Sequence, residues 1–213
     1  MQRIAFILCT VTFALSASAG AQTSAAPQLG TNLLINGDAE ANFGASDASR
    51  VVKPSRWETT GEFSVVQYGA KGEFPDNATP GSTNGELEFF AGGNAALSTA
   101  TQAVSLAPFT SQIDSGNVKY ELSGKLGGFG ALDDSAAVDL SFLDATGKTL
   151  ASDAIGPVNA QQRLLNTALL NEQAGGTVPK GTRSAIVKIV LTRAGADGYN
   201  HGFADVVSLV LHE

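Results

Sequence analysis

Short apolar or alternating runs, separated by clusters of Gly, Asn, Asp and Pro, repeat along this chain from Thr31 to its end, and that rhythm constrains the fold most. Residues 184–191 show it clearly. Ala185, Val187, Ile189 and Leu191 fall on one side and Lys188 on the other. Residues 118–126 repeat the pattern, with Val118, Tyr120, Leu122 and Leu126 opposed to Lys119, Glu121, Ser123 and Lys125. A period of two with one apolar side is the mark of a half-buried antiparallel strand. The first of these runs is expected to extend over 184–192, and further strands are expected at 32–36, 62–68, 86–91, 96–106, 136–143 and 203–211. Turn chemistry sits between them. Asp144-Ala145-Thr146-Gly147 before Lys148 reads as a hairpin with Gly at the positive-φ position. Many short strands at this spacing predict an all-β sandwich or barrel. Residues 161–173 fit less well: Leu164, Leu165, Ala168 and Leu169 have helical spacing, and pattern alone leaves helix and strand open.

The first 21 residues do not belong to that rhythm. Arg3 is followed by an apolar run over residues 4–15, too short to span the ~30 Å hydrocarbon core. Small residues follow, with A-x-A patterns at Ala17-Ser18-Ala19 and Ala19-Gly20-Ala21. This is the layout of a secretory signal peptide, against the alternative of an N-terminal membrane anchor. A lipoprotein reading fits poorly, because Leu8 precedes Cys9 where a small residue would be expected. The expected organisation is a signal at 1–21, a flexible leader at 22–30 and a single β-sandwich domain at 31–213. The product would be secreted, or periplasmic or extracellular, with no transmembrane segment after signal removal. Cys9, the only cysteine, would leave with the signal, so the mature domain would rely on its core, on a metal, or on both rather than on disulfides.

Of 213 residues, 43% are hydrophobic and 15% charged, which excludes a disordered tail. A net charge of −7 makes nucleic acid an unexpected partner, since an acidic surface repels phosphate.

Two segments carry a resemblance. The first is Asn32-Leu33-Leu34-Ile35-Asn36-Gly37-Asp38-Ala39-Glu40, followed by Pro54-Ser55-Arg56-Trp57. The second is Gly198-Tyr199-Asn200-His201-Gly202-Phe203-Ala204-Asp205-Val206-Val207-Ser208-Leu209. Together they resemble the opening and closing strands of galactose-binding-like jelly rolls, a superfamily that includes many carbohydrate-binding modules and the F-box-associated sugar-binding domains. The resemblance implies an antiparallel jelly-roll β-sandwich whose first and last strands lie side by side. It also implies a structural calcium there, held by Glu40 and Asp205 with Gly37 and Asp38 completing the shell. Ca²⁺ takes six to eight oxygen ligands, which loop carbonyls and carboxylates supply. The alternative is that Glu40 is a solvated acid and Asp205 a turn former. His201 and Val206 depart from the pattern at positions where an acid and an Asn are frequent, so His201 is left out of the metal set.

Sugar recognition needs flat apolar faces and polar groups for hydroxyls. Tyr68 and Tyr199 stand at strand ends beside Gly-rich loops, whereas Trp57 and Tyr120 read as core. Asp133 and Asp134, in a Gly-rich loop, are candidate acceptors of sugar hydroxyls, against the reading of a hydrated turn. The long loop at 69–85 is another candidate; its Asn77-Ala78-Thr79 fits a glycosylation acceptor on three residues only. Arg163, Arg183 and Arg193 read as surface ion-pair partners. No G-x-S-x-G or H-E-x-x-H occurs, and His is found only at 201 and 212. Glu86 and Glu88, two apart on a strand, are the available glycosidase pair. The function expected is a secreted, non-catalytic, lectin-like module for a glycan or polysaccharide. The alternatives are a cell-surface or matrix protein that mediates protein contacts and, less favoured, a glycoside hydrolase.

Overall fold

The computed structural model describes residues 27–82 and 86–213. The signal expected at 1–21 and most of the expected leader therefore lie outside the described residues.

The described chain forms a two-sheet antiparallel jelly-roll sandwich. Its strands are β1 (Ala45–Asp47), β2 (Glu58–Thr60), β3 (Ser64–Lys71), β4 (Glu88–Gly93), β5 (Leu97–Ser105), β6 (Lys119–Gly128), β7 (Ser135–Leu143), β8 (Thr149–Val158), β9 (Ala168–Thr177), β10 (Ser184–Thr192) and β11 (Asn200–His212). One sheet has the order β1-β3-β4-β11-β6-β9 and the other β2-β5-β10-β7-β8. Every pairing is antiparallel except β1 with β3. A 3₁₀ turn (Ala107–Phe109) and a short α-helix, α1 (Thr110–Ser115), lead into β6. No helix among the described residues is long and apolar enough to cross a membrane.

The alternation read in the sequence builds the core. Ala185, Val187, Ile189 and Leu191 of β10 are fully buried between the layers, as are Leu122 and Leu126 of β6 and Leu209 and Leu211 of β11. Each such Leu, Ile or Val contributes roughly 1.5–3 kcal/mol on burial. β10 runs unbroken between β5 and β7, so each residue has partners on both sides. Trp57 is buried, with its ring edge-on to Phe90 and its Nε1–H donated to the Asn36 carbonyl at 2.9 Å. The Tyr120 ring packs on Phe142, and its hydroxyl lies 2.6 Å from Asp153. The 144–147 turn closes as expected, with Gly147 at φ 82° and the Asp144 carboxylate accepting from the Thr146 and Lys148 amides.

The two ends of the domain do meet, though not as two full strands. The Gly30 and Leu33 amides donate to the Leu211 and Leu209 carbonyls, and the Val207 amide donates to the Gly37 carbonyl. In place of a continuous ladder, the Asn32 side chain bridges: its Oδ1 accepts from the Leu34 and Leu209 amides, both at 3.0 Å. Positive φ at Asn36 and Ala39 then turns the chain away, so the strand expected at 32–36 is reduced to an isolated bridge. A bulge at Val206 (φ 49°) divides β11: residues before it pair with β4, and those after it face the opening segment. Leu29, within the expected leader, packs against the core.

Residues 161–166 form a turn, and β9 follows. Leu164 and Leu165 sit at φ 53° and 62° and point outward, while Ala168 and Leu169 enter the strand buried.

A second apolar cluster covers the opposite face of the first sheet, where Val66, Tyr68, Phe89, Ala91 and Phe203 gather. The loop after β3 folds over this face. Its Phe74 packs onto Phe89 and Phe203, and the Pro80 carbonyl accepts the Leu169 amide.

Candidate functional site

Three connections converge at one end of the sandwich: the loop after β3, the β6–β7 loop and the β10–β11 loop. They enclose a cleft of about 710 Å³, with His201 of β11 in its wall.

Each wall is fixed by buried polar chemistry. Arg163, 2% exposed, donates from Nη1 to the Gly130 and Asn166 carbonyls at 3.0 and 2.7 Å and from Nη2 to the Leu132 carbonyl at 2.8 Å. Those bonds clamp the loop that presents Asp133 and Asp134. Gly128 is required behind it, because a Cβ there would lie 2.8 Å from Arg163 Nη2 and from the His201 carbonyl oxygen. Arg193 organises the third loop. Its Nε donates to the Gly195 carbonyl, Nη2 to Ala196, and Nη1 to Asn94 and Gly198. Arg183 alone of the three forms the expected ion pair, with Asp114 at 2.8 Å. Arg163 and Arg193 differ because loop carbonyls, not carboxylates, take their hydrogen bonds.

Asp134 joins two walls. Its Oδ1 accepts the Ala194 amide and its Oδ2 the His201 amide, both at 2.8 Å. Burial works to raise this carboxyl, but the ring and amide of His201 and the amide of Ala194 outweigh it, so the group sits below the ordinary carboxylate range. The His201 ring is held between Asp134, 3.4 Å from Nδ1, and Glu73, 3.3 Å from Nε2. Aromatic rings surround it: Tyr199 at 5.2 Å, Phe129 at 5.9 Å and Phe203 at 6.2 Å. Phe74 stands edge-on to Tyr199 at 5.2 Å.

The structure thus brings Asp133, Asp134 and Tyr199 together in one cleft. Tyr68 lies elsewhere. It is on the covered outer face, 9% exposed, with its hydroxyl donated to Asp205 at 2.8 Å. His201 and Asp197 are cleft residues that sequence reasoning missed, and Glu73 and Phe74 lie in the 69–85 loop it put forward without naming them. His201, Phe203 and Asp205 alternate along β11 on one face, a signal that would have placed His201 beside the loops.

The expected cation residues are spread over several contacts. The Gly37 carbonyl is taken by Val207, and Asp38 is exposed and accepts only the Glu40 amide. Glu40 Oε1 accepts the Leu87 and Glu88 amides at 2.7 and 2.9 Å. Asp205 is completely buried; burial first, and then the charge of Glu86, raises its carboxyl to about 8. Among the described residues no three His, Cys, Asp or Glu side chains form a ready metal-binding group. Oxygen donors suited to a hard cation are nonetheless at hand. Glu86 Oε2 and Glu88 Oε2 are buried without hydrogen-bond partners, and burial raises Glu88 as well. Glu88 is only 4% exposed, so the expected glycosidase pair is not on an open strand face.

Neither a family model nor a curated protein matches this chain. Solved structures of similar fold do. The enzymatically active domain of tailspike protein 4 of bacteriophage CBA120 is 17% identical, with a TM-score of 0.50 over 85% of this chain and 21% of that one. The arabinose-bound α-L-arabinofuranosidase MgGH51 is 13% identical, with a TM-score of 0.51 over 86% of this chain and 27% of that one. A family 16 carbohydrate-binding module is 20% identical, with a TM-score of 0.49 over 84% of this chain and 99% of that one. The chain thus spans well under a third of the first two proteins, and the likeness at these identities is one of fold.

Proposed function

We propose that this chain is an exported, non-catalytic carbohydrate-binding module that holds a glycan in the cleft around Tyr199. The observation that carries the reading is the pairing, in one cleft, of an aromatic wall with acceptor groups on separate, rigidly clamped loops. Tyr199, backed by the buried Phe74, offers apolar surface for the C–H face of a pyranose, and Glu73, Asp133 and Asp197 offer acceptors for its hydroxyls. A glycan ligand agrees with the arabinose named for one structure of similar fold.

A binding role is favoured over catalysis by the cleft's composition. No Ser, Thr or Cys lines it among the described residues, so His201 has no hydroxyl or thiol to activate, and the carboxylates that do line it are tested for glycosidase chemistry by the reducing-end assay below. Export rests on the signal-like segment at 1–21. A structural calcium, in this reading, would draw on Glu40 and Asp205 together with the unpaired oxygens of Glu86 and Glu88. It would neutralise the buried Asp205 and Glu88 and secure β11 against β4.

A glycan array followed by calorimetry tests the proposal. Tyr199→Ala should weaken binding of the selected glycan at least tenfold while the thermal midpoint stays above the assay temperature. Release of reducing ends from that glycan would overturn the non-catalytic role. Binding that Tyr199→Ala leaves unchanged would overturn the site. A thermal midpoint unmoved by Ca²⁺ and by EDTA would remove the calcium.

A further inference from the structure

We propose that the cleft selects a cationic amino sugar, a pyranose carrying a free ammonium group, over neutral, N-acylated and acidic sugars. This rests on the reading of the cleft as the glycan site. Four carboxylates line it: Glu73, Asp133, Asp134 and Asp197. Two side chains of the opposite kind also line it, Arg193 and His201. Neither presents a free fork to an anion. The Nε and both terminal nitrogens of Arg193 are committed to the carbonyls of Asn94, Gly195, Ala196 and Gly198. A uronate or sulfated sugar would therefore meet like charge without the bidentate donors that such groups require.

Three of the carboxylates keep oxygens open to a ligand, although Glu73 also pairs with His201 Nε2 at 3.3 Å. The Glu73 side chain is 60% exposed, Asp133 receives a single 3.3 Å bond from the Ala160 amide, and the Asp197 carboxylate has no partner among the described residues. Asp134 is the exception, spent on the Ala194 and His201 amides. Ionised carboxylates only accept, and an ammonium offers three donors and no acceptor, so the two inventories match. His201 on the inner wall does not invite an anion either: its side chain is 8% exposed, with Nδ1 3.4 Å from Asp134 and Nε2 3.3 Å from Glu73. The Phe74 and Tyr199 rings beside it add negative π-faces, which attract an ammonium and repel a carboxylate.

The test is calorimetric titration of the full mature chain with oligosaccharides of glucosamine and of galactosamine, their N-acetylated counterparts, and oligogalacturonate. The free amines should bind at least tenfold tighter than the N-acetyl forms, and oligogalacturonate should not bind. Raising salt from 50 to 500 mM should weaken amine binding several-fold, because partly exposed charges are screened. Glu73→Gln and Asp197→Asn should each lower amine affinity, by about tenfold for a lost charge-assisted hydrogen bond, and erode the preference over the N-acetyl form. Equal or tighter binding of N-acetyl or uronate sugars, abolished by Tyr199→Ala, would overturn the amine preference and leave the cleft as the glycan site. Amine binding that Tyr199→Ala does not touch would overturn the site itself.

Discussion

Replacing Arg163 with Met tests whether one buried guanidinium holds the cleft open in its present shape. The substitution keeps the apolar stem and removes three hydrogen bonds, to the Gly130, Leu132 and Asn166 carbonyls. Each bond from a charged donor is worth about 1.5–3 kcal/mol. The gross loss is therefore several kcal/mol, and two effects offset it. Burial disfavours the charged guanidinium and draws its pKa down, while Nε is buried with no partner, so removing the group relieves an existing cost. The freed carbonyls also belong to surface loops and regain water. A net destabilisation of about 2–4 kcal/mol is expected. Urea denaturation reads this as a lowered midpoint at unchanged slope. Hydrogen exchange should show faster opening at residues 129–134 and 160–166, with the core amides of β10 accelerated less than these loops. Arg163→Lys should recover little, because one ammonium cannot reach carbonyls on both sides as the planar fork does. An Arg163→Met protein within about 0.5 kcal/mol of wild type, with unaltered exchange in both loops, would refute the clamp.

Leu165→Gly should be neutral or stabilising by up to about 1 kcal/mol, since Leu165 holds φ 62° and is 56% exposed; a clear loss of stability would mean that the exposed side chain makes a contact of value. Asp205 sets a pH dependence. Its carboxyl is raised from 3.8 to about 8, so between those values the folded chain keeps a proton that the unfolded chain has released. Its contribution is full at low pH and falls by about 1.4 kcal/mol per unit as pH rises through that window. In EDTA, Asp205→Asn should flatten this slope, and an unchanged slope would refute the assignment. Asp134 acts in the opposite sense. Its lowered carboxyl stabilises above the unfolded value, and that gain is lost as pH falls through the folded value, so Asp134→Asn should cost more stability at pH 7 than in acid.

Legibility followed packing. β10 was read to its ends because it is central and half of it faces the core, which leaves the period of two undisturbed. β8 was missed because it is an edge strand whose residues are largely exposed, and Thr149–Val158 alternates only weakly. The opening segment was read as a strand because its composition is that of one. The Asn32 side chain, which stands in for ladder bonds, has no signature in a pattern of apolar residues. At the site, Asp133, Asp134 and Tyr199 were legible from turn chemistry. Tyr68 was read as a loop-side residue, although Ser64-Val65-Val66 and Phe89-Phe90-Ala91 are runs that bury both faces. Such runs signal a strand covered on each side. Here the cover is the chain's own loop, and a loop's path over a sheet is not written in local periodicity.

Phe74 explains why the fold leaves its cleft at one end rather than across the sheet. The first sheet's outer face between β3 and β11 is apolar and needs a roof, and Phe74 supplies it by packing on Phe89 and Phe203. The other side of the same ring meets Tyr199 and forms a wall of the cleft. One side chain therefore belongs to a hydrophobic core and to a recognition surface, so the two are energetically linked. A ligand seated against Tyr199 stabilises the loop that covers the sheet, and truncating Phe74 removes cover and wall together. Losing a buried Phe costs about 3–5 kcal/mol. Phe74→Ala should therefore lower the thermal midpoint and weaken glycan binding in step, whereas Tyr199→Ala, at the rim, should reduce binding far more than stability. Equal effects of the two substitutions on stability would separate the roof from the wall and break this account of how the fold builds its site.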